Sequence, residues 1–131
     1  MIVDSSVLVA ILKKEPEGDA FIDAIEFAAE TRVSAATYFE TSIVIDRLRN
    51  YDLSFQLDQL IEESNLVIEP VTEEQARIAR QAYRNYGRGS GHRANLNFGD
   101  CFAYALARAR REPLLYKGDD FVHTDVRSAQ Q

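Results

Sequence analysis

Residues 1–12 read Met-Ile-Val-Asp-Ser-Ser-Val-Leu-Val-Ala-Ile-Leu, a short apolar run, a polar triplet and then a second apolar run. The first run predicts a β-strand at Ile2 and Val3. The polar triplet supplies side chains that cap a helix N-terminus. The second run predicts a helix over 7–13, ended by the Glu-Pro-Glu-Gly segment at 15–18. The chain therefore begins as a strand followed by a helix.

The same alternation continues along the chain. Further strands are predicted over 32–35, 66–68 and 114–116, with a marginal fifth near 122–126. Further helices are predicted over 19–29, 37–49, 53–64, 73–86 and 97–112. Strands alternating with helices indicate a parallel sheet covered on both faces. We therefore predict an α/β fold, a three-layer α/β/α sandwich with a central, mainly parallel sheet of four to five strands, in one domain spanning 1–131.

Acidic residues stand where predicted strands end or helices begin. Asp4 ends the first apolar run, Glu40 falls in the first turn of the predicted third helix, and Asp100 opens the helix after Asn97. Asp119 and Asp120 follow the last clear strand. Each acid alone is explained as well by a helix cap or a turn. Together they predict a crevice at the carboxyl edge of the sheet, where a hard cation such as Mg²⁺ or Mn²⁺ offsets their repulsion.

The net charge of -6 is distributed unevenly. Residues 77–117 contain nine Lys and Arg side chains, with Asp100 and Glu112 as the only acids. This basic segment predicts a local binding face for a polyanion, although each arginine of the predicted helix over 73–86 is more typical of a solvated stripe. Within it, a Gly-rich loop that directly precedes the Asp100 helix carries Arg88, His92 and Arg93. We predict that these three side chains contact phosphate groups of such a polyanion.

Composition excludes several other classes of protein. A chain of 131 residues that is 46% hydrophobic has enough apolar residues for one compact core. A single cysteine excludes an internal disulfide and suits a reducing compartment. No signal-peptide pattern and no membrane-length apolar stretch is present. We therefore expect a soluble, cytoplasmic protein.

Four blocks carry a family resemblance: Met-Ile-Val-Asp-Ser-Ser-Val-Leu with Glu-Pro-Glu, Ser-Ala-Ala-Thr-Tyr-Phe-Glu-Thr, Leu-Asn-Phe-Gly-Asp-Cys-Phe-Ala, and Leu-Leu-Tyr-Lys-Gly-Asp-Asp-Phe. In order and spacing the chain resembles the PIN-domain ribonucleases, and among them the VapC toxins of bacterial type II toxin–antitoxin modules. The resemblance implies an endoribonuclease that uses Mg²⁺ or Mn²⁺ to hydrolyse RNA phosphodiester bonds. It also implies a VapB-like antitoxin partner and a homodimer.

The resemblance further implies roles for individual residues. Asp4, Glu40 and Asp100 match the core metal-binding acids, and the fourth acid is Asp119 or Asp120. Asp4 and Asp100 are expected as direct metal ligands. Glu40 is expected as a ligand or as the group that orients the attacking water, and the fourth acid is expected to hold a second ion or its waters. Ser6 matches a small hydroxyl residue found near such sites and equally suits a helix cap.

Two other functions compete. A phosphatase with an Asp nucleophile after its first strand usually has a second Asp two residues later, where this chain has Ser6. The alternative from another class is a non-catalytic PIN-fold module that binds RNA or protein, but such a module is expected to lose its acids, which are all present here. The RNA, the antitoxin and the number of metal ions stay open.

Apolar helix faces are candidates for either core or partner contacts. The first two helices present Ile11, Leu12, Phe21 and Ile25, which are expected as core or as the surface that meets the antitoxin or a second copy. The third helix is expected to bury Tyr38 or Phe39 with Ile43, Ile45 and Leu48. Tyr83 is expected to face the core from the fifth helix.

Overall fold

The structure is a computed structural model that describes residues 1–130. Over these residues it contains four strands and six helices. Their bounds, in chain order, are β1 Ile2–Val3, α1 Ser5–Leu12, α2 Gly18–Phe27, β2 Arg32–Ser34, α3 Ala35–Asp46, α4 Tyr51–Glu63, β3 Val67–Glu69, α5 Glu73–Tyr86, α6 Phe98–Arg110 and β4 Leu114–Leu115.

The four strands form one parallel sheet in the order β3-β2-β1-β4. Ile2 of β1 lies between Arg32 of β2 and Leu114 of β4. Because all four strands run the same way, their carboxyl ends meet at a single edge. The marginal fifth strand does not form: residues 122–125 adopt turns and bends, and only a single bridge joins Ser128 to Leu114.

Helices cover both faces of the sheet. Ile2 and Leu114 pack in one apolar cluster with Ala82 of α5 and Leu106 of α6. Val3, Val33 and Leu115 point to the opposite face and pack in a second cluster, whose helical members are Val7, Leu8, Ala10, Phe21 and Ile25. The three-layer α/β/α prediction is therefore confirmed. Along residues 1–130 no helix has the length and apolar character needed to cross a membrane.

Helix α3 differs from its predicted form. Ser34 caps it by accepting a hydrogen bond from the Ala36 N–H at 3.3 Å, so the helix starts at Ala35, two residues early. Glu40 consequently lies in the second turn of α3, and its predicted place in the first turn was wrong. The buried stripe of α3 consists of Thr37, Thr41 and Ile45. Phe39 and Ile43, 65% and 42% exposed, face outward instead.

Candidate metal centre

Asp4 lies at the carboxyl end of β1 and caps α1. Its Oδ2 accepts hydrogen bonds from the Ser6 N–H at 3.1 Å and from the Ser6 Oγ–H at 2.7 Å. Its Oδ1 is buried and has no hydrogen-bond partner. Burial raises the pKa of the Asp4 carboxyl to about 6, and the charge of Glu40 adds to the rise, although the Ser6 hydrogen bonds oppose it. Burying a carboxylate oxygen without a partner costs free energy, and a bound cation would offset that cost.

Asp100 is held by the first turn of α6. Its N–H donates to Asn97 Oδ1 at 2.8 Å, and its own Oδ2 accepts from the Asn97 N–H at 3.0 Å. This reciprocal capping box restricts the side chain on one side. Burial raises the pKa of Asp100 to about 7, with further contributions from the charges of Asp4, Asp120 and Glu40. The structure thus brings these four carboxyl groups into one electrostatic site.

Glu40 approaches this site across the α3–α6 contact. Its carboxylate lies so close to Gly99 that a Cβ on Gly99 would stand 1.8 Å from Glu40 Oε2. Any side chain at position 99 would therefore displace the carboxylate from its place beside Asp100. The glycine in Asn-Phe-Gly-Asp is what lets Glu40 reach the main chain next to the acid of α6.

We expect Gly99→Ala to lower activity while leaving the fold intact. An alanine favours a helix by about 1 kcal/mol over glycine, but its methyl group would push away the Glu40 carboxylate, the mobile end of a long side chain. A displacement of this kind should slow RNA cleavage by about 10- to 100-fold. Single-turnover cleavage and thermal unfolding of the same protein samples would measure both effects. Full activity in the alanine variant would exclude a positional role for Glu40.

The two predicted candidates for the fourth acid are neighbours in one exposed turn. Both are exposed and follow Gly118, whose φ of +95° makes the turn. The charge of Asp120 is among the causes that raise the pKa of Asp100. Asp120 therefore lies close enough for its charge to act on this centre.

Over residues 1–130, no three Asp, Glu, His or Cys side chains stand close enough, as they are oriented, to hold a metal ion. One oxygen of Asp4 and one of Asp100 are engaged in helix caps. The donor set nevertheless fits a hard divalent cation, because it is all oxygen and includes the buried, unpartnered Asp4 Oδ1.

The predicted RNA-contacting loop has internal order. The Arg88 N–H donates to the Leu96 carbonyl at 2.9 Å, and the Ala94 N–H donates to His92 Nδ1 at 3.0 Å. The His92 ring packs edge-on against Tyr86 at 4.9 Å between centroids. His92 therefore has a structural place, while Arg88 and Arg93 are exposed.

An exposed apolar surface borders the acids and was missed by the sequence reasoning. Phe39 and Ile43 of α3 face Phe98 and Phe102 of α6 across a cleft of about 480 Å³ that Glu40 also lines. We call these four apolar residues the α3–α6 face. Phe98, 77% exposed, also borders a second hollow of about 230 Å³ beside α5. The available signal was that the apolar residues of α3 lie on more than one side of the helix, and only one side can face the core.

The structure also decides the place of the other predicted apolar faces. Leu12, Phe21 and Ile25 are buried and Ile11 is partly buried, so these residues form core and not a free docking surface. Tyr83, predicted to be core, is 42% exposed and lines the hollow beside α5.

Comparisons with known proteins show which family the chain resembles. The model of the PIN domain family matches residues 1–127. Ribonuclease VapC28 of Mycobacterium tuberculosis is 57% identical over 129 residues, which are 98% of this chain and 97% of that protein. Ribonuclease VapC42 of the same organism is 46% identical over 98% of both chains.

Two solved structures share the fold. One is Mycobacterium tuberculosis VapC20, described as a sarcin-ricin loop cleaving toxin, with a TM-score of 0.74, 16% identity and coverage of 95% of both chains. The other is a toxin–antitoxin complex from Klebsiella pneumoniae, with a TM-score of 0.72, 16% identity and coverage of 95% of this chain and 92% of that one.

Proposed function

Because the chain belongs to the PIN-domain family and, within it, to the VapC ribonucleases, we propose that it is a Mg²⁺- or Mn²⁺-dependent endoribonuclease and the toxin of a type II toxin–antitoxin module. One observation carries the metal-dependent part. The charges of Asp4, Glu40 and Asp120 all raise the pKa of Asp100, so four acids from four parts of the chain share one site. Such a cluster is costly to fold unless a cation or ligand compensates it.

Asp4 and Asp100 are the proposed direct ligands, joined by Glu40 and Asp120. When bound, a divalent cation supplies Lewis-acid stabilisation of charge on the phosphodiester and favours ionisation of water. Ser6 holds Asp4 through one oxygen, which leaves Oδ1 for the site. The capping box holds Asp100 in the same way. Glu40, set against Gly99, is placed to orient the attacking water or take its proton. Hydrolysis would leave a 5′-phosphate and a 3′-hydroxyl.

The proposal is tested by incubating end-labelled total RNA with the purified, partner-free protein and Mg²⁺ or Mn²⁺. Discrete cuts that disappear with EDTA would support it, and the fragment ends would identify the RNA. Protein that binds RNA but cuts nothing under any metal condition would favour the non-catalytic binding module instead.

Arg88 and Arg93 are proposed contacts to RNA phosphates, because both are exposed on the loop that leads into the Asp100 helix. We expect Arg88→Ala and Arg93→Ala each to raise KM by roughly threefold to tenfold, with little change in kcat, and to lessen the salt dependence of binding. Arg77→Ala is the matched control, since Arg77 is an exposed arginine of α5 paired with Glu73. Equal effects at all three positions would argue against a specific role for this loop.

A VapB-like antitoxin is proposed as the partner that blocks the site in the cytoplasm. An arginine or lysine from this partner would neutralise the four acids in place of metal. A basic side chain from the partner would reduce the repulsion between the carboxylates, as a bound cation would. A reading frame for a small DNA-binding protein beside this gene would support the assignment.

A homodimer is proposed through the α3–α6 face. Contiguous exposed aromatic residues of this size mark protein interfaces. Phe98 lines both hollows. In a dimer with a twofold axis, Phe98 of each copy can therefore enter the cleft of the other copy. An isologous interface needs this self-complementarity. Because Glu40 lines the cleft, the partner copy would also shield one side of the acidic site from water.

We expect Phe98→Ser to weaken the dimer by about 30-fold or more, the effect of losing a central aromatic anchor worth about 2 kcal/mol. Light scattering over a dilution series would measure the monomer fraction. Phe27→Ser is the matched control, because Phe27 is 90% exposed on α2 and lies outside the face. A dimer that is unaffected by Phe98→Ser would place the interface elsewhere.

A further inference from the structure

Lys117 is anchored at two points to the part of the chain that carries Asp4. Its N–H donates to Ser6 Oγ at 2.9 Å, and Ser6 in turn donates to Asp4 Oδ2. Its Nζ lies 3.0 Å from Glu15 Oε2 and 2.7 Å from Glu17 Oε2. One lysine therefore joins the segment after β4 to both the start of α1 and the turn that follows α1.

The turn that holds the Lys117 ammonium is itself tightly folded onto α1. The Glu15 N–H donates to the Ala10 carbonyl at 2.9 Å, and the Gly18 N–H donates to the Glu15 carbonyl at 2.9 Å. A Cβ on Gly18 would meet the Ala10 carbonyl oxygen at 3.1 Å, so the turn approaches the helix closely. The two glutamates thus provide a firm seat for the lysine.

Asp120 lies between two anchored residues, Lys117 and Phe121. After Lys117 the chain turns at Gly118, exposes Asp119 and Asp120, and is buried again at Phe121, whose ring packs on Tyr116 at 5.2 Å between centroids. Lys117 and Phe121 therefore bracket the exposed pair. The distance of Asp120 from Asp4 and Asp100 depends on where these two anchors hold the segment.

We propose that Lys117, clamped by Glu15 and Glu17, is a positioning residue that holds Asp120 against the acidic site and thereby sets its affinity for a divalent cation. The inference rests on the proposed function. It does not depend on stability, because ion pairs this exposed contribute little to folding.

Two effects of replacing Lys117, the loss of its charge and the loss of its anchoring contacts, change cation affinity in opposite directions. Lys117→Met removes a positive charge near the acids, so an effect through charge alone would strengthen cation binding. Loss of the anchor would instead weaken cation binding. Replacing Glu15 and Glu17 by glutamine removes negative charge and also frees the lysine, so both effects weaken binding in that variant. Lys117→Met is therefore the decisive substitution.

The test is calorimetric titration of metal-free protein with Mn²⁺, together with thermal unfolding in EDTA. We expect Lys117→Met and the Glu15→Gln, Glu17→Gln double variant to bind Mn²⁺ about tenfold more weakly, as losses of groups that orient metal ligands do. Lys117→Arg should bind as the unaltered protein does, and midpoints in EDTA should move little.

Unchanged or tighter Mn²⁺ binding by Lys117→Met would overturn the inference while leaving the proposed function in place. A large loss of thermal stability in that variant, restored by Lys117→Arg, would make the clamp a stability element and would also overturn it. Absence of Mn²⁺ binding by the unaltered protein would overturn the metal-dependent function, and the inference with it.

Discussion

Asp100→Asn should reduce RNA cleavage by at least about a thousandfold. The asparagine Oδ1 can still accept the Asn97 N–H, so the capping box and the start of α6 are kept. The substitution removes the negative charge that attracts the cation and leaves only an amide, a much poorer ligand for a hard ion. Single-turnover cleavage of the RNA identified from the fragment ends, at saturating Mg²⁺, would measure the loss. Residual activity should not respond to EDTA.

Asp52→Asn is the matched control for this prediction. Asp52 is an exposed acid in the first turn of α4, which also begins after an asparagine cap, so the change repeats the chemistry away from the site. Cleavage should be unchanged in this variant. If Asp100→Asn cuts as fast as the unaltered protein, the activity does not arise from this centre. The same assay distinguishes the two candidates for the fourth acid, because Asp120→Asn should slow cleavage far more than Asp119→Asn.

The second large effect is on the stability of the metal-free protein. The pKa of Asp4 is raised to about 6 and that of Asp100 to about 7, whereas the ordinary value is 3.8. Between about pH 4 and pH 7 the folded protein therefore holds more protons than the unfolded chain, so the free energy of unfolding falls as the pH rises. Above pH 7 these two groups add no further change. Metal-free protein should be more stable at pH 5 than at pH 8.

Asp4→Asn should remove the part of this loss of stability that arises from the Asp4 carboxylate. Each tenfold change in an acid constant corresponds to about 1.4 kcal/mol, so the variant should gain roughly 2–3 kcal/mol at pH 8, or roughly 10 °C in Tm, and much less at pH 5. Unfolding in EDTA at the two pH values would measure it. Asp23→Asn, an exposed acid of α2, should change stability little at either pH.

Added Mg²⁺ provides the complementary result. It should stabilise the unaltered protein at pH 8, because a ligand that binds only the folded state shifts the unfolding equilibrium. It should stabilise Asp4→Asn much less. If Asp4→Asn is less stable than the unaltered protein at pH 8 in EDTA, burial of the ionised Asp4 carboxylate does not destabilise the fold. The electrostatic account of the site would then fail.

Much of the site could be predicted because its first requirements are local. A strand of two apolar residues ends at Asp4, and an asparagine three residues before Asp100 forms the predicted cap. Cap residues act within a few positions of themselves, so they are visible in the sequence. The alternation of strands and helices likewise determines a parallel sheet, and a parallel sheet brings its carboxyl ends to one edge.

Helix α3 shows where local patterns fail. The sequence contains an apolar stripe through Phe39 and Ile43 and a second stripe through Thr37, Thr41 and Ile45, and the structure buries the second. Packing against neighbouring helices decides between two stripes on one helix, and that information is not local. The same limit misplaced Tyr83 in the core, whereas Glu40 was misplaced because the local cap at Ser34 was not recognised.

The sequence by itself determined the alternating strands and helices, the caps at Asp4 and Asn97, and a set of acids at one sheet edge, because each depends on residues a few positions apart. Only the tertiary structure decided that the charge of Asp120 reaches Asp100, that Gly99 makes room for Glu40, and that Lys117 joins Glu15 and Glu17. These relations join residues about 60 to 100 positions apart, or depend on which side of a turn faces the site. They come into being only when the helices and the ends of the sheet pack together.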